Sequence, residues 1–169
     1  SLRWLRDLLG MQGQPDAYAR LSALAAETSP GAEGLLFLPH LAGERTPHMD
    51  PAASGVFAGL RLHHGPGHLA RAVMEGVSMA LAGCLTLAET VGSGDVQQVI
   101  FSGGGASSAV WRQIQADALN VPLAISAGEE HASLGAALLA GVAAGLYESV
   151  EAACARLPRP EVAAVPDPE

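Results

Sequence analysis

VIFSGGGASSAVWRQIQADAL, Val99 to Leu119, decides the fold. Val99-Ile100-Phe101 closes a β-branched and aromatic run over Val96 to Ser102 that reads as a strand with a buried end. Gly103, Gly104 and Gly105 follow at once, and helical spacing then runs from Ser107 to Leu119. A strand, a glycine turn and a helix in direct succession form the unit from which α/β layers are built. Glycines at the carboxyl end of a strand let a ligand come close to the backbone. The helix start adds N–H groups without intrahelical partners and the positive end of the helix dipole. Ser107 and Ser108 stand where a side chain caps that helix or bonds a ribose or phosphate oxygen. Gly103, Gly104, Gly105, Ser107 and Ser108 are therefore candidate nucleotide contacts. The competing reading is a tight turn with close strand–helix packing, and the glycine run alone leaves the two level.

Downstream, Asn120-Val121-Pro122 turns the chain into a strand, Leu123 to Ser126, and helices follow over His131–Gly145 and Glu148–Arg156. The Pro- and acid-rich tail, residues 158–169, is expected to fray, leaving 1–157 as the domain. Upstream, His68 to Val91 carries Leu69, Val73, Val77, Ala80, Cys84 and Leu87 at helical spacing. Residues 39–67 hold Pro, Gly, His and Asp without a steady period and read as a long ordered loop, with a short strand near Gly55–Leu60. Leu35 to Leu38 reads as a short buried strand, and Ser1–Leu9 and Asp16–Glu27 as helices, the second burying Tyr18, Leu21, Leu24 and Ala25. The order predicts an α/β domain that is helix-rich with a small sheet, and a first helix that opens the chain suggests a piece of something longer.

Composition narrows the chemistry. Of 169 residues, 49% are apolar and 15% charged, which argues against disorder; 32 alanines and 20 glycines make a core of small parts. Seventeen acids face nine bases, a net charge of −8, and every base is Arg. Nucleic-acid binding on a basic patch does not fit this balance. The absence of Lys excludes a lysine-dependent P-loop and Schiff-base chemistry. Phosphate would have to meet backbone N–H groups, Arg or a metal ion. Cys84 and Cys154, far apart in apolar surroundings, read as buried thiols in a reducing compartment. No signal peptide is evident, and the longest stretch without Asp, Glu or Arg, His131–Tyr147, is too short for a membrane span. A soluble cytoplasmic protein is the expectation.

Two further signals invite chemistry. In LAGERTPHMDP, Leu41 to Pro51, the adjacent Glu44 and Arg45 read more readily as an internal ion pair pinning the loop than as a cleft-shaping device. His63, His64 and His68 cluster, but no Cys or carboxylate joins them locally, so a solvated loop and helix start is favoured over a metal site. No Ser–His–Asp order or paired-carboxylate motif stands out, and no catalytic base is named.

Taken together, these segments resemble the C-terminal half of the FGGY-family carbohydrate kinases over Ser1 to about Arg156. GVFAGLRLHHGPGHLARAVME, Gly55 to Glu75, fits the family's C-terminal signature at Gly55, Phe57, Gly59, Leu60, His68, Leu69, Ala72, Val73, Met74 and Glu75. Ser54 departs from it, where the family carries Arg. FSGGGASSAVWRQIQADAL is similar to the family's adenine-nucleotide segment, and EEHASLGAALLAG to the one that closes the pocket. LAGERTPHMDP is most like members that phosphorylate D-xylulose. The resemblance implies an actin-like ATPase (ribonuclease-H-like) fold of two domains around a cleft, with ATP and Mg²⁺ between them and D-xylulose, or another sugar such as gluconate, as substrate. It places the general base, an Asp, and the sugar pocket upstream of Ser1. The chain alone is then expected to be inactive, and its partners are an N-terminal kinase domain and, at family level, a second copy in a homodimer. The alternative is an adenine-nucleotide-binding or scaffold module without chemistry.

Overall fold

A computed structural model describes residues 1–126 and 131–167. Two short helices, α1 (Leu2–Leu8) and α2 (Ala17–Ala26), precede a hairpin of β1 (Leu36–Leu38) and β2 (Val56–Ala58). The long helix α3 (Pro66–Ala88) follows, then β3 (Val99–Phe101), α4 (Ala109–Leu119) and β4 (Leu123–Ile125). Helices α5 (His131–Ala143) and α6 (Val150–Cys154) and a last strand β5 (Glu161–Ala164) complete the chain. Strands β1 and β2 pair antiparallel, Phe37 opposite Phe57. In the second sheet, of order β3-β4-β5, β3 runs parallel to β4 and β5 antiparallel to it.

The core lies where α1, α2 and α4 meet the first half of α3 and the inner side of β1. Leu5, Leu21, Leu35, Val73 and Met74 are fully enclosed there. Phe37 joins them from β1, its ring 4.7 Å from that of Phe57 and 6.2 Å from that of Trp4. Each Leu or Met of this kind contributes about 1.5–3 kcal/mol by leaving water. Burial on α3 follows Ala70, Val73, Met74 and Ser78 and then fades, so the expected stripe is covered only in its first half. Leu87 is exposed and Val77, Ala80 and Cys84 are half-buried. By length and composition α3 is apolar enough to cross a membrane; its first half packs against α2, α4 and β1, and most of its apolar length is uncovered among the described residues.

Polar contacts lock α3 to the turn after α2. Arg71 Nε donates to Glu75 Oε1 at 2.7 Å, and Arg71 Nη1 reaches the Ala25 and Thr28 carbonyls at 3.4 and 3.3 Å. Those carbonyls lie at and just past the end of α2, where a cation is favoured, and the Ala25 carbonyl also accepts the Thr28 N–H at 3.3 Å. Glu75 Oε1 also accepts the Gly31 N–H at 2.9 Å.

Several expectations change. The tail does not fray over Glu161–Ala164, because β4 has an edge to pair and these residues add to it. Gln113 Nε2 donates to the Val165 carbonyl, and the Asp167 N–H to Asp117, fastening the tail to α4. Tyr18 is exposed rather than core; its hydroxyl accepts from Arg6, whose guanidinium lies over the ring. Leu36 and Leu38 are exposed on the outer face of β1, and only Phe37 between them is buried. Ile100 is likewise exposed between half-buried neighbours. The cysteines are not buried: Cys84 is intermediate and Cys154 exposed.

Gly76 sets how closely α3 approaches β1. A Cβ there would lie 2.1 Å from the Phe37 carbonyl oxygen. Gly76→Ala is expected to destabilise the protein by about 1–3 kcal/mol in urea denaturation. Gly83→Ala, on the same helix with no atom within 4 Å of its Cβ, is expected to be neutral or stabilising by up to ~1 kcal/mol.

Candidate functional site

Strands β3 and β4 run parallel, so their carboxyl ends share one edge of the sheet, where open α/β sheets take ligands. The segment after β3 is the glycine turn. Gly103 sits at φ 79°, ψ −174°, a conformation essentially reserved for glycine. A 3₁₀ turn over Gly104–Ser107 follows, and α4 begins at Ala109 rather than at Ser107. The extra turn arises because Ser108 is extended, at φ −86°, ψ 113°, and caps α4: its Oγ accepts the Trp111 N–H at 3.3 Å. Ser107 Oγ donates to the Gly104 carbonyl at 2.8 Å. Both hydroxyls therefore have structural partners within the turn.

The three glycines divide their roles. A Cβ on Gly105 would meet the Phe101 ring at 2.9 Å and the Trp111 ring at 3.2 Å, so that glycine serves packing. Gly103 serves the backbone bend. Gly104 has nothing within 4 Å of its Cβ position and a non-positive φ, so neither packing nor backbone requires glycine there. Open space beside Gly104 is where a ligand can lie against the backbone. Arg112 holds the turn from behind, Nη1 donating to the Ala106 carbonyl at 2.7 Å. The five candidate residues thus form one continuous turn at the head of α4. No carboxylate lies between Val99 and Ala116, so a metal accompanying a nucleotide would be held by phosphates and by residues outside this turn. Of the segment expected to close the pocket, residues 129 and 130 lie outside the described residues; Ala132–Gly141 is helical in α5.

A separate cavity of about 820 Å³ opens between the β1–β2 hairpin, α3 and the 39–48 loop. Its walls are mainly apolar, with Leu36, Leu38, Val56 and Met79 among them, and none of the five turn residues lines it. The loop beside it does not form the expected Glu44–Arg45 pair. Glu44 is nearly buried and its Oε2 accepts the His48 N–H at 2.8 Å; Glu44 and Asp50 bridge across the loop. Arg45 points to solvent and has no ion pair among the described residues.

The histidines are not simply a solvated loop. His68 Nδ1 accepts the Gly65 N–H at 3.1 Å and so caps the start of α3, with Pro66 at its first position. Burial, with the neighbouring His63 and His68, lowers the His64 pKa from the ordinary histidine value, against an opposing hydrogen bond to the Glu33 backbone and the Glu33 charge. Glu33 was missed in the sequence because it lies far from these histidines along the chain.

Comparison with known proteins places these features. Residues 1–144 match the C-terminal domain of the FGGY family of carbohydrate kinases. Xylulose kinase of Escherichia coli is 42% identical over 158 residues, 93% of this chain and 32% of the relative. Gluconokinase of Bacillus licheniformis is 36% identical over 161 residues, 89% of this chain and 31% of the relative. The crystal structure of xylulose kinase from Rhodospirillum rubrum superposes with a TM-score of 0.80 at 37% identity, covering 99% of this chain and 33% of that one. The fold is that of the C-terminal domain of these actin-like sugar kinases, and the chain spans about a third of their length.

The division among the glycines is testable by stability alone. Gly105→Ala is expected to cost about 1–3 kcal/mol in chemical denaturation, because two rings must move. Gly104→Ala is expected to stay within about 0.5 kcal/mol of the parent. Equal costs at both positions would contradict the assignment.

Proposed function

This chain belongs to the FGGY family of carbohydrate kinases, and on that premise we propose that it is the nucleotide-binding part of an ATP-dependent kinase that phosphorylates D-xylulose. The observation that carries the nucleotide reading is the open face at Gly104, within a turn otherwise fixed by Gly103, Gly105 and Ser108. ATP supplies the phosphoryl group, and Mg²⁺ neutralises phosphate charge as the group is transferred. The residues of this chain position the nucleotide. Backbone N–H groups at Gly104 and Gly105 and the head of α4 receive its oxygens. Arg112 and the Phe101–Trp111 contact keep the turn in shape before the ligand arrives.

The sugar reading rests on LAGERTPHMDP and on the relatives named xylulose kinase; the gluconokinase relatives make D-gluconate the second reading. No residue of this chain is assigned as the base that deprotonates the sugar hydroxyl. That group and the sugar contacts are placed in the remaining part of a cytoplasmic enzyme. The outer face of β1 and β2 and the second half of α3, with Leu36, Val56 and Met79 exposed, is the surface on which that part seats.

Steady-state kinetics on the full-length protein test the proposal. D-Xylulose is expected to be phosphorylated with a higher kcat/KM than D-gluconate, and the reverse order would reassign the sugar. Gly104→Val is expected to raise the KM for ATP about tenfold, the equivalent of about 1.4 kcal/mol, with the sugar KM unchanged. An unchanged ATP KM would move the nucleotide away from this turn. The isolated chain is expected to show no turnover.

A further inference from the structure

We infer that Glu33, His63 and His64 form a binding site for a borderline divalent cation such as Zn²⁺, with His68 orienting the carboxylate. Their ligand atoms all lie within 4.8 Å of one another. His63 Nε2 is 3.2 Å from one Glu33 oxygen, and His68 Nε2 is 3.7 Å from the other. The rings of His63 and His64 are 4.3 Å apart and those of His64 and His68 5.1 Å. Two imidazoles and one carboxylate suit Zn²⁺ or Co²⁺ and do not suit Mg²⁺, which takes oxygen ligands. The site is therefore chemically distinct from any metal that accompanies a nucleotide.

Two observations beyond proximity support it. Glu33 is held at φ 53°, ψ 34°, next to Ala32 at φ 45°. Two successive non-glycine residues in the left-handed region are unusual and persist where surrounding structure imposes them. This turn delivers the carboxylate to the histidines. His64 Nε2, moreover, is shielded from solvent beside Glu33, so one ring nitrogen is already desolvated.

Ring protonation fixes which residues ligate. His64 Nδ1 accepts the Arg61 N–H at 3.0 Å, and His68 Nδ1 accepts the Gly65 N–H. A neutral ring accepting at Nδ1 carries its proton on Nε2. A cation at His64 Nε2 displaces that proton to Nδ1, with no net change in ring charge, and the Arg61 N–H turns to solvent from its exposed turn. His68 keeps its bond to the head of α3, so its Nε2–H faces Glu33 as a donor. His63 Nε2 serves directly. Three protein ligands leave the remaining position to water. The lost Arg61 bond lowers affinity by up to about tenfold.

The test uses untagged full-length protein stripped with chelator. Zn²⁺ is titrated by calorimetry, and Co²⁺ by visible absorption. Saturable Zn²⁺ binding and d–d bands for bound Co²⁺ are expected. Glu33→Gln and His63→Ala are each expected to weaken Zn²⁺ at least about tenfold. Both side chains are 51% exposed, so the variants are expected to fold, with circular dichroism as the check. Absence of saturable binding overturns the site. So does binding with an unchanged Co²⁺ spectrum in the folded protein that carries both Glu33→Gln and His63→Ala.

Discussion

The approach of α3 to β1 is the contact on which the rest of the structure depends. The Gly76 backbone lies so near the Phe37 carbonyl that no side chain fits between them. That spacing lets Phe37 enter the core beside Val73 and Met74, and it carries the β1–β2 hairpin against the helix. A core poor in aromatics gains its burial from such proximity rather than from large side chains. The Arg71–Glu75 pair fixes the same helix to the turn after α2. From that frame α3 reaches α4, and α4 holds the glycine turn at its head.

The second sheet carries the turn that we propose for the nucleotide, and that turn is made without lysine. Its β3–turn–α4 unit uses one glycine for the bend, one for packing and one to leave space. Ser108 and Arg112 stabilise the turn through the helix cap and the Ala106 carbonyl. The hydroxyls that look in sequence like ligand contacts are engaged within the turn, so the proposed binding rests on main-chain N–H groups and the helix dipole. A backbone cradle of this kind does not need the missing lysine.

Local spacing made much of this legible. The helical period of α3 ran long enough to stand alone, and the glycine run between β3 and α4 marked its own turn. What local spacing does not carry is what lies opposite. Leu36, Ile100 and Leu87 are as apolar as any core residue, yet their faces are uncovered among the described residues. The four-residue strand β5, among prolines, owes its existence to the edge of β4, which no period in its own sequence reveals. Glu44 and Arg45 are neighbours along an extended stretch, where successive side chains point to opposite sides; one turns inward and the other outward. The histidine cluster needed Glu33, supplied by a strained turn from a distant part of the chain.

A crystal structure of the full-length protein with ADP and Mg²⁺ tests the central claim most directly. The account predicts the nucleotide against Gly103–Ser108, with an oxygen within about 3 Å of the Gly104 or Gly105 N–H and no side chain intervening at Gly104. A nucleotide bound elsewhere, with this turn unchanged and solvent-filled, would contradict it.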